Sequence, residues 1–258
     1  MAIITLTSDF GESDHYVGAL KGAILSSIPS QILVDISHQI QSFDLAHGAF
    51  VLRSAFPNFP PGTIHLVAVD TIGNLDDTHL AVQLEDHFFL LTDHGLLGLI
   101  SEQEPQIVVE LPLPEQYPSA FPALEILAPA AIKLANGTPI KKLGKQKSDY
   151  KKMVGRHMRI NKTHIIGHVV RVDHYGNLIT NIRKEEFCKL SENKRYTILI
   201  GREQFRRLNS SISETGSGDC YVIFNSMGLL EVGINKGNAS ELMGLQFDSP
   251  VKISFEDT

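Results

Sequence analysis

Residues 2–37 read AIITLTSDFGESDHYVGALKGAILSSIPSQILVDIS. The run 2–8, AIITLTS, is apolar and β-branched, and it stops at Asp9 and Gly11, so it reads as a buried strand. Residues 31–36, QILVDI, read as a second strand. Between them Tyr16, Leu20 and Ile24 recur every fourth residue, the stripe of an amphipathic helix, with Ser13 placed to cap it. A strand, a helix and a strand this close together, with both strands apolar nearly throughout, specify a parallel pair covered on both faces.

The pattern continues outward from there. Asp44 is placed to cap a second helix carrying Leu45, Ala49, Leu52 and Phe56 on one face, and Pro60-Pro61-Gly62 ends that unit. TIHLVAV (63–69) is a third strand. HLAVQL (79–84) and HFFLLT (87–92), separated by Glu85-Asp86, read as a hairpin. A short apolar helix is expected near His94, a strand near 107–111, and a helix opened by Pro129 and stopped at Asn136-Gly137. From about residue 164 the texture changes to short β runs: HIIGHVVRV, NLITNI, YTILI, CYVIF, LLEVGI and VKISF, interrupted by one helical piece near 238–244. The expected fold is α/β: a doubly wound, mostly parallel N-terminal sheet domain (1–140), a basic linker (141–163) and a smaller antiparallel β-barrel-like domain (164–258).

The chain has 258 residues, 43% of them hydrophobic and 20% charged, an ordinary globular balance. Its net charge of −6 hides an asymmetry: residues 1–140 carry 3 Lys/Arg against 16 Asp/Glu, and the rest carry 20 against 13. Opposite signs on two halves fit domains that face each other, within a chain or between subunits, and also fit two separately solvated faces. Lys141 to Lys162 holds nine Lys/Arg with Tyr150 as its single aromatic, too few stacking rings for a nucleic-acid groove. No run of 18 apolar residues suggests a membrane span, and no leader is visible at the N-terminus. Two cysteines, Cys188 and Cys220, make no disulfide framework, so the cytoplasm is the expected compartment.

Four of the expected strands end in or near an Asp: Asp9, Asp35, Asp70 and Asp93. In an open α/β sheet, ligands bind beyond the carboxyl ends of the strands, so several acids should ring one mouth. Strand-end Asp residues also cap helices and turns, which is the preferred reading for Asp35. Asp9 and Asp70 have Gly11 and Gly73 nearby, which lets a ligand approach the backbone. A carboxylate there can accept ribose hydroxyls, hold a divalent cation or act as a base. Other chemistries lack their signatures. The chain has no G-x-S-x-G elbow, no phosphate-binding P-loop, no Gly-rich dinucleotide fingerprint and no His-Glu-x-x-His zinc motif. His164 and His168 fall in an expected strand, where an i, i+4 pair does not converge on a metal. No metal and no cofactor are expected.

Taken in order, ITLTSDFGESDHYVGALKGAI, VDISHQIQSFDLAHGAFVL, FPPGTIHLVAVD, TDHGLL and VDHYGNLITNI closely resemble the S-adenosyl-L-methionine hydrolase (hydroxide adenosyltransferase) family, relatives of the fluorinating and chlorinating enzymes, over roughly residues 2–245. The resemblance implies an α/β domain followed by a β-barrel-like domain, and a homotrimer with sites shared between subunits. It implies attack at the ribose C5′ of S-adenosylmethionine, giving adenosine and methionine when water is the nucleophile. By resemblance Asp9 binds the ribose hydroxyls and Phe43 forms an aromatic wall. Asp173 and Ser226 hold the methionine ammonium and carboxylate, and Asn177 reads the adenine edge. Without the resemblance, Phe43 reads as core, Asn177 as a turn residue and Ser226 as part of the Asn225–Gly228 turn.

The sequence departs from the family where water is activated. Asp70 matches the family Asp, but it is followed by Thr71-Ile72-Gly73-Asn74 rather than Pro-Gly-Val-Gly, and no Arg lies between Arg53 and Arg156. The stretch 120–125 places Pro122 and Leu124 where the family has a His and an Arg, and His94 replaces an Asn. Losing a general base typically costs about 10²–10⁴-fold in rate. His94 is therefore a candidate for part of the lost role, with a surface or helix-start histidine as the plainer alternative. Pro122 has no N–H to offer a halide, which weakens a halogenase reading. Two rivals remain: a catalytically impaired relative that binds S-adenosylmethionine or adenosine, and a nucleoside hydrolase-like enzyme that cuts the glycosidic bond.

Overall fold

The computed structural model describes residues 2–71, 76–114 and 119–257. The chain divides into two compact units, Met1–Gly155 and Arg156–Thr258.

In the first unit the strands are β1 (Ile4–Ser8), β2 (Leu33–Ser37), β3 (Ile64–Ala68), β4 (His79–Leu84), β5 (His87–Thr92), β6 (Ile107–Glu110) and β7 (Lys145–Gln146). They form one sheet in the order β2-β1-β3-β5-β4-β6-β7. β2, β1, β3 and β5 are mutually parallel, and β4, β6 and β7 extend the sheet by antiparallel pairing. Every residue of β1 and β3 is buried, which is why their sequences are apolar without alternation.

Helices cover both faces, as a doubly wound sheet requires. α1 (Tyr16–Ser27) brings Leu20 and Ile24 to one face, with Ile4, Leu6 and Leu66 from the strands. α2 (Leu45–Ala55) and the short α3 (Leu97–Ile100) cover the other, where Ala49, Leu52 and Leu97 meet Val67, Leu80 and Phe89. α4 (Ala128–Ala135) returns to the first face, preceded by a π-helical turn at Ala123–Leu127, and ends at Gly137 with φ 85°. The Asp44 cap forms as expected: its carboxylate accepts from His47 N at 2.9 Å.

Ser13 does not cap α1. The helix starts at Tyr16 behind His15, with no side-chain cap. The fourth expected strand-end acid also moves: Asp35 lies inside β2, where its carboxylate meets Lys21 and His38 rather than capping a helix or a turn. Of the basic segment, Lys145–Gln146 pairs with β6, and Lys151 N donates to Asp93 at 2.8 Å. Residues 141–155 therefore belong to the first unit, and the strands of the second begin at β8 (Arg159–Ile160).

The second unit is an eight-stranded, fully antiparallel, barrel-like sheet. It adds β9 (His164–Val172), β10 (Leu178–Arg183), β11 (Lys194–Ile200), β12 (Glu203–Phe205), β13 (Cys220–Phe224), β14 (Leu229–Ile234) and β15 (Pro250–Asp257). Their order is β12-β11-β15-β9-β10-β14-β13, with β8 on β9. Its core gathers Ile165, Leu178, Ile182, Ile198, Val222, Val232 and Ile253. α5 (Lys184–Ser191), which the sequence pattern does not reveal, buries only Phe187. α6 (Ala239–Met243) is the expected helical piece, capped by Asn238 and ended by left-handed Gly244.

Candidate active site

Parallel strands share one carboxyl edge, and the sequence puts acids there. Asp9 follows β1, Asp70 follows β3 and Asp93 follows β5. β4 runs the other way, so its start brings Asp77 and His79 to the same edge.

Asp9 organises one side of this edge. Its Oδ2 accepts two backbone N–H groups, Phe43 N at 2.9 Å and Asp70 N at 3.1 Å. Both donors sit in the left-handed region, Phe43 at φ 64° and Asp70 at φ 52°. Such a conformation costs a non-glycine residue roughly 1–3 kcal/mol, so it needs an outside anchor, and a charge-assisted hydrogen bond supplies one here. The Phe43 ring is 63% exposed, an unfavourable place for a large aromatic in the isolated chain and a ready wall for a ligand. It is an exposed residue rather than core.

Asp9, Phe10, Tyr16, Ser42, Phe43, Ala120 and Phe121 line a cleft of about 190 Å³. Phe10, Tyr16 and Phe121 form an aromatic cluster, with ring centroids 5.2–5.5 Å apart. Tyr16 is legible in the sequence only as part of the α1 stripe, and Phe10 and Phe121 are not singled out there; Phe10 and Tyr16 lie within the motif ITLTSDFGESDHYVGALKGAI, the one clue available. A larger hollow of about 370 Å³ lies beside Arg53, Glu85 and Glu102, at the opposite end of β4 from Asp77. It has none of the edge carboxylates, and we place the site at the smaller cleft.

Asp70 and His94 come together. His94 Nδ1 stands 3.2 Å from Asp70 Oδ2. That contact lacks hydrogen-bond alignment, and Nδ1 is buried without a hydrogen-bond partner. On its other side, His94 Nε2 lies 2.8 Å from Asp77 Oδ1, and Asp77 is 4% exposed. The ring is thus set between two carboxylates. The sequence alone gives Asp77 no role; its pairing with His94 needs the antiparallel turn of β4 against β5. Gly73, named in the sequence reading, lies outside the described residues, as do Ile72 and Asn74.

The turn that carries His94 is locked from outside. Gly95 has φ 96°, and a Cβ there would meet Met153 Cγ at 2.7 Å. Met153 N donates to Gly95 O at 3.0 Å. The buried Asp93 takes Lys151 N on Oδ1 and has Lys147 Nζ 3.7 Å from Oδ2. The glycine is what lets the strap 147–153 lie this close.

In the second unit, Asp173 and Asn177 form one closed loop. Asp173 Oδ1 accepts Tyr175 N and Asn177 N, each at 2.9 Å, and Oδ2 accepts Asn177 Nδ2 at 3.0 Å. The Tyr221 hydroxyl, inside the barrel, shares its proton between Asn177 Oδ1 at 3.0 Å and Glu231 Oε1 at 3.2 Å. Burial, followed by the Glu231 charge and hydrogen bond, pushes the Tyr221 phenol well above its ordinary range. Glu231 Oε2 in turn takes Asn225 Nδ2 at 3.1 Å, and Asn225 Oδ1 organises the turn that exposes Ser226. One hydrogen-bonded chain, Asp173–Asn177–Tyr221–Glu231–Asn225, buried at its three middle members, therefore ties together the three candidate residues of this unit. In these bonds the amide of Asn177 uses one hydrogen and one lone pair.

Comparison with known proteins gives this arrangement its context. The SAM hydroxide adenosyltransferase N-terminal domain model matches residues 4–144, and the C-terminal domain model matches 167–252. The chain belongs to the SAM hydroxide adenosyltransferase family. A protein of Methanocaldococcus jannaschii named (R)-S-adenosyl-L-methionine hydrolase is 29% identical, over 98% of this chain and 96% of that one. One of the same name from Thermus thermophilus is 28% identical, over 98% and 100%. The crystal structure of an uncharacterised conserved protein from Thermotoga maritima superposes with a TM-score of 0.89 at 28% identity, covering 98% of this chain and all of that one. The family accounts for the two-unit fold.

Proposed function

We propose that this protein hydrolyses S-adenosyl-L-methionine to adenosine and L-methionine. Relatives along the whole chain bear the hydrolase name. The observation that carries the reading is the pairing of Asp70 with His94 next to the cleft of Asp9 and Phe43. Water attacks the ribose C5′, the C5′–S bond breaks, and its electron pair returns to sulfur as the neutral thioether of methionine. One water proton passes to the Asp70–His94 pair and then to solvent; the hydroxyl stays on C5′ as the 5′-OH of adenosine. A sulfonium is a good leaving group, so the chain's task is to hold the ribose and to align and deprotonate water. No cofactor or metal is needed.

In this reading Asp9 takes the ribose hydroxyls and Phe43 stacks as a wall. Asp173 and Ser226 take the amino-acid end, and Asn177 takes the adenine edge. A cleft of about 190 Å³ is below the roughly 300–1,000 Å³ of a full small-molecule site, so one part of the substrate fits it. The remainder calls for a second surface, which supports the homotrimer as part of the proposal. No described helix is long and apolar enough to cross a membrane, and both cysteines are free, which supports placing the protein in the cytoplasm.

Incubation with excess S-adenosylmethionine, with products resolved by chromatography, is expected to give adenosine and methionine in equal amounts. Asp70→Asn should reduce kcat by about 10²–10⁴-fold. Adenine as product would replace this reading with glycosidic cleavage. Calorimetric binding without turnover would make the protein a ligand-holding relative.

A further inference from the structure

We infer that Asp77 is a positioning residue that fixes which nitrogen of His94 faces Asp70. The inference rests on the hydrolase reading for its effect on rate, but its geometry stands alone. An ionised carboxylate only accepts hydrogen bonds, so His94 Nε2, 2.8 Å from Asp77 Oδ1, must carry the hydrogen. That leaves Nδ1 as the nitrogen that gains and loses a proton, and it stands 3.2 Å from Asp70 Oδ2.

Three features make this a built arrangement. Asp77 is 4% exposed, and a buried carboxylate is costly unless its partners are fixed. Among the described residues, the other charged or titratable groups placed against the His94 ring are Asp70 on its Nδ1 side and His79, whose own pKa is pulled down to about 4 by burial, with Asp77 opposing and His94 adding. His79 is thereby neutral at ordinary pH, and it is held by Thr92, its Nδ1 lying 3.1 Å from the hydroxyl. The His94 backbone is fixed by its N–H to Thr92 O and by the Met153 strap on Gly95. Ring plane, tautomer and backbone are each set by a different contact, which is how an outlying carboxylate tunes a histidine that does chemistry.

The test combines kinetics with a spectroscopic readout of the unaltered protein. Asp77→Asn is expected to lower kcat about 10- to 100-fold with KM changed less than about twofold. In a His94→Gln background the same substitution should change kcat less than about twofold, because its effect runs through the ring. A loss that persists undiminished in that background overturns the inference, as does an Asp77→Asn enzyme with full kcat while His94→Gln is slow. His94→Gln at full rate overturns the hydrolase reading of His94 as well. If Asp77→Asn does not fold, the imidazole nitrogen resonances of wild-type His94 decide the point. Nε2 is expected to stay protonated while Nδ1 titrates. The reverse tautomer overturns the inference whether or not the enzyme turns over.

Discussion

The two units bury polar groups in different ways. The first buries imidazoles: His38, His47, His65, His79 and His87 are each at most 9% exposed. The second buries amide, phenol, hydroxyl and carboxylate groups, Asn177, Tyr221, Thr180 and Glu231, and among the described residues no histidine there is buried. In the first unit His65 is central. Its Nδ1 lies 2.7 Å from Thr5 Oγ1 and its Nε2 lies 3.1 Å from His87 Nδ1, with Phe56, Phe59 and Phe89 against the ring. Burial, assisted by the His87 charge, pulls its pKa down to about 3. The lesson is that one unit buries imidazoles, whose ordinary pKa lies near neutrality, and the other buries none.

Acid should therefore act on the units unequally, and this is the largest effect expected. A histidine whose folded pKa lies below its unfolded value contributes fully above pH 6.5, and its contribution falls as pH drops toward the folded value. With values of 6.5 and about 3, His65 alone should remove about 2–3 kcal/mol from the first unit between pH 7 and pH 4.5. Hydrogen exchange read separately over residues 2–155 and 156–257 should show protection lost first in the former, and His65→Gln should flatten that dependence. Parallel loss in both units would mean the buried imidazoles do not set the acid response.

Next in size is Tyr221→Phe. It strips the shared hydroxyl from two buried acceptors, which should cost the second unit about 1–3 kcal/mol. Because the loop of Asn177 loses its support, substrate affinity should fall as well, with the pH dependence of the first unit untouched. Urea midpoints and calorimetric affinity measure both. A variant equal to wild type would show that Asp173 alone holds that loop.

The smallest effect is expected for Lys147→Ala. Lys147 Nζ lies 3.7 Å from Asp93 and 3.6 Å from Glu110. Both distances are near the limit of an ion pair and Lys147 is partly exposed, so the loss should stay under about 1 kcal/mol, and Lys151 N and Met153 still hold the strap. A larger drop in the urea midpoint would move the weight of the first unit from its imidazoles to its edge charges.

Much of this fold is legible because its signals are local. The hairpin 79–92, the Asp44 cap and the strands of the second half appear where hydrophobic runs and turn residues place them. Ser13 misleads because a cap is defined by backbone geometry, and the chain turns into α1 only at His15. α5 is missed because KEEFCKLS offers a single buried residue, Phe187, too little for a stripe. At the site, Asp9 and Asp70 are legible as strand-end acids. The bridge from Asp77 to His94 spans 17 positions and depends on register. Likewise Glu231 reads as an ordinary strand acid until β13 is laid beside β14 and Tyr221 reaches it.

Asp9 Oδ2 also has a consequence for how this chain can change over generations. One oxygen atom anchors the corners at Phe43 and Asp70, so the wall of the cleft and the placement of Asp70 form a single heritable unit. A substitution at 43 that tightens the wall alters the anchor of residue 70, and its value depends on what stands at 9. Changes at these three positions should be epistatic, so the route to a new nucleophile or substrate runs through coordinated replacements rather than independent ones.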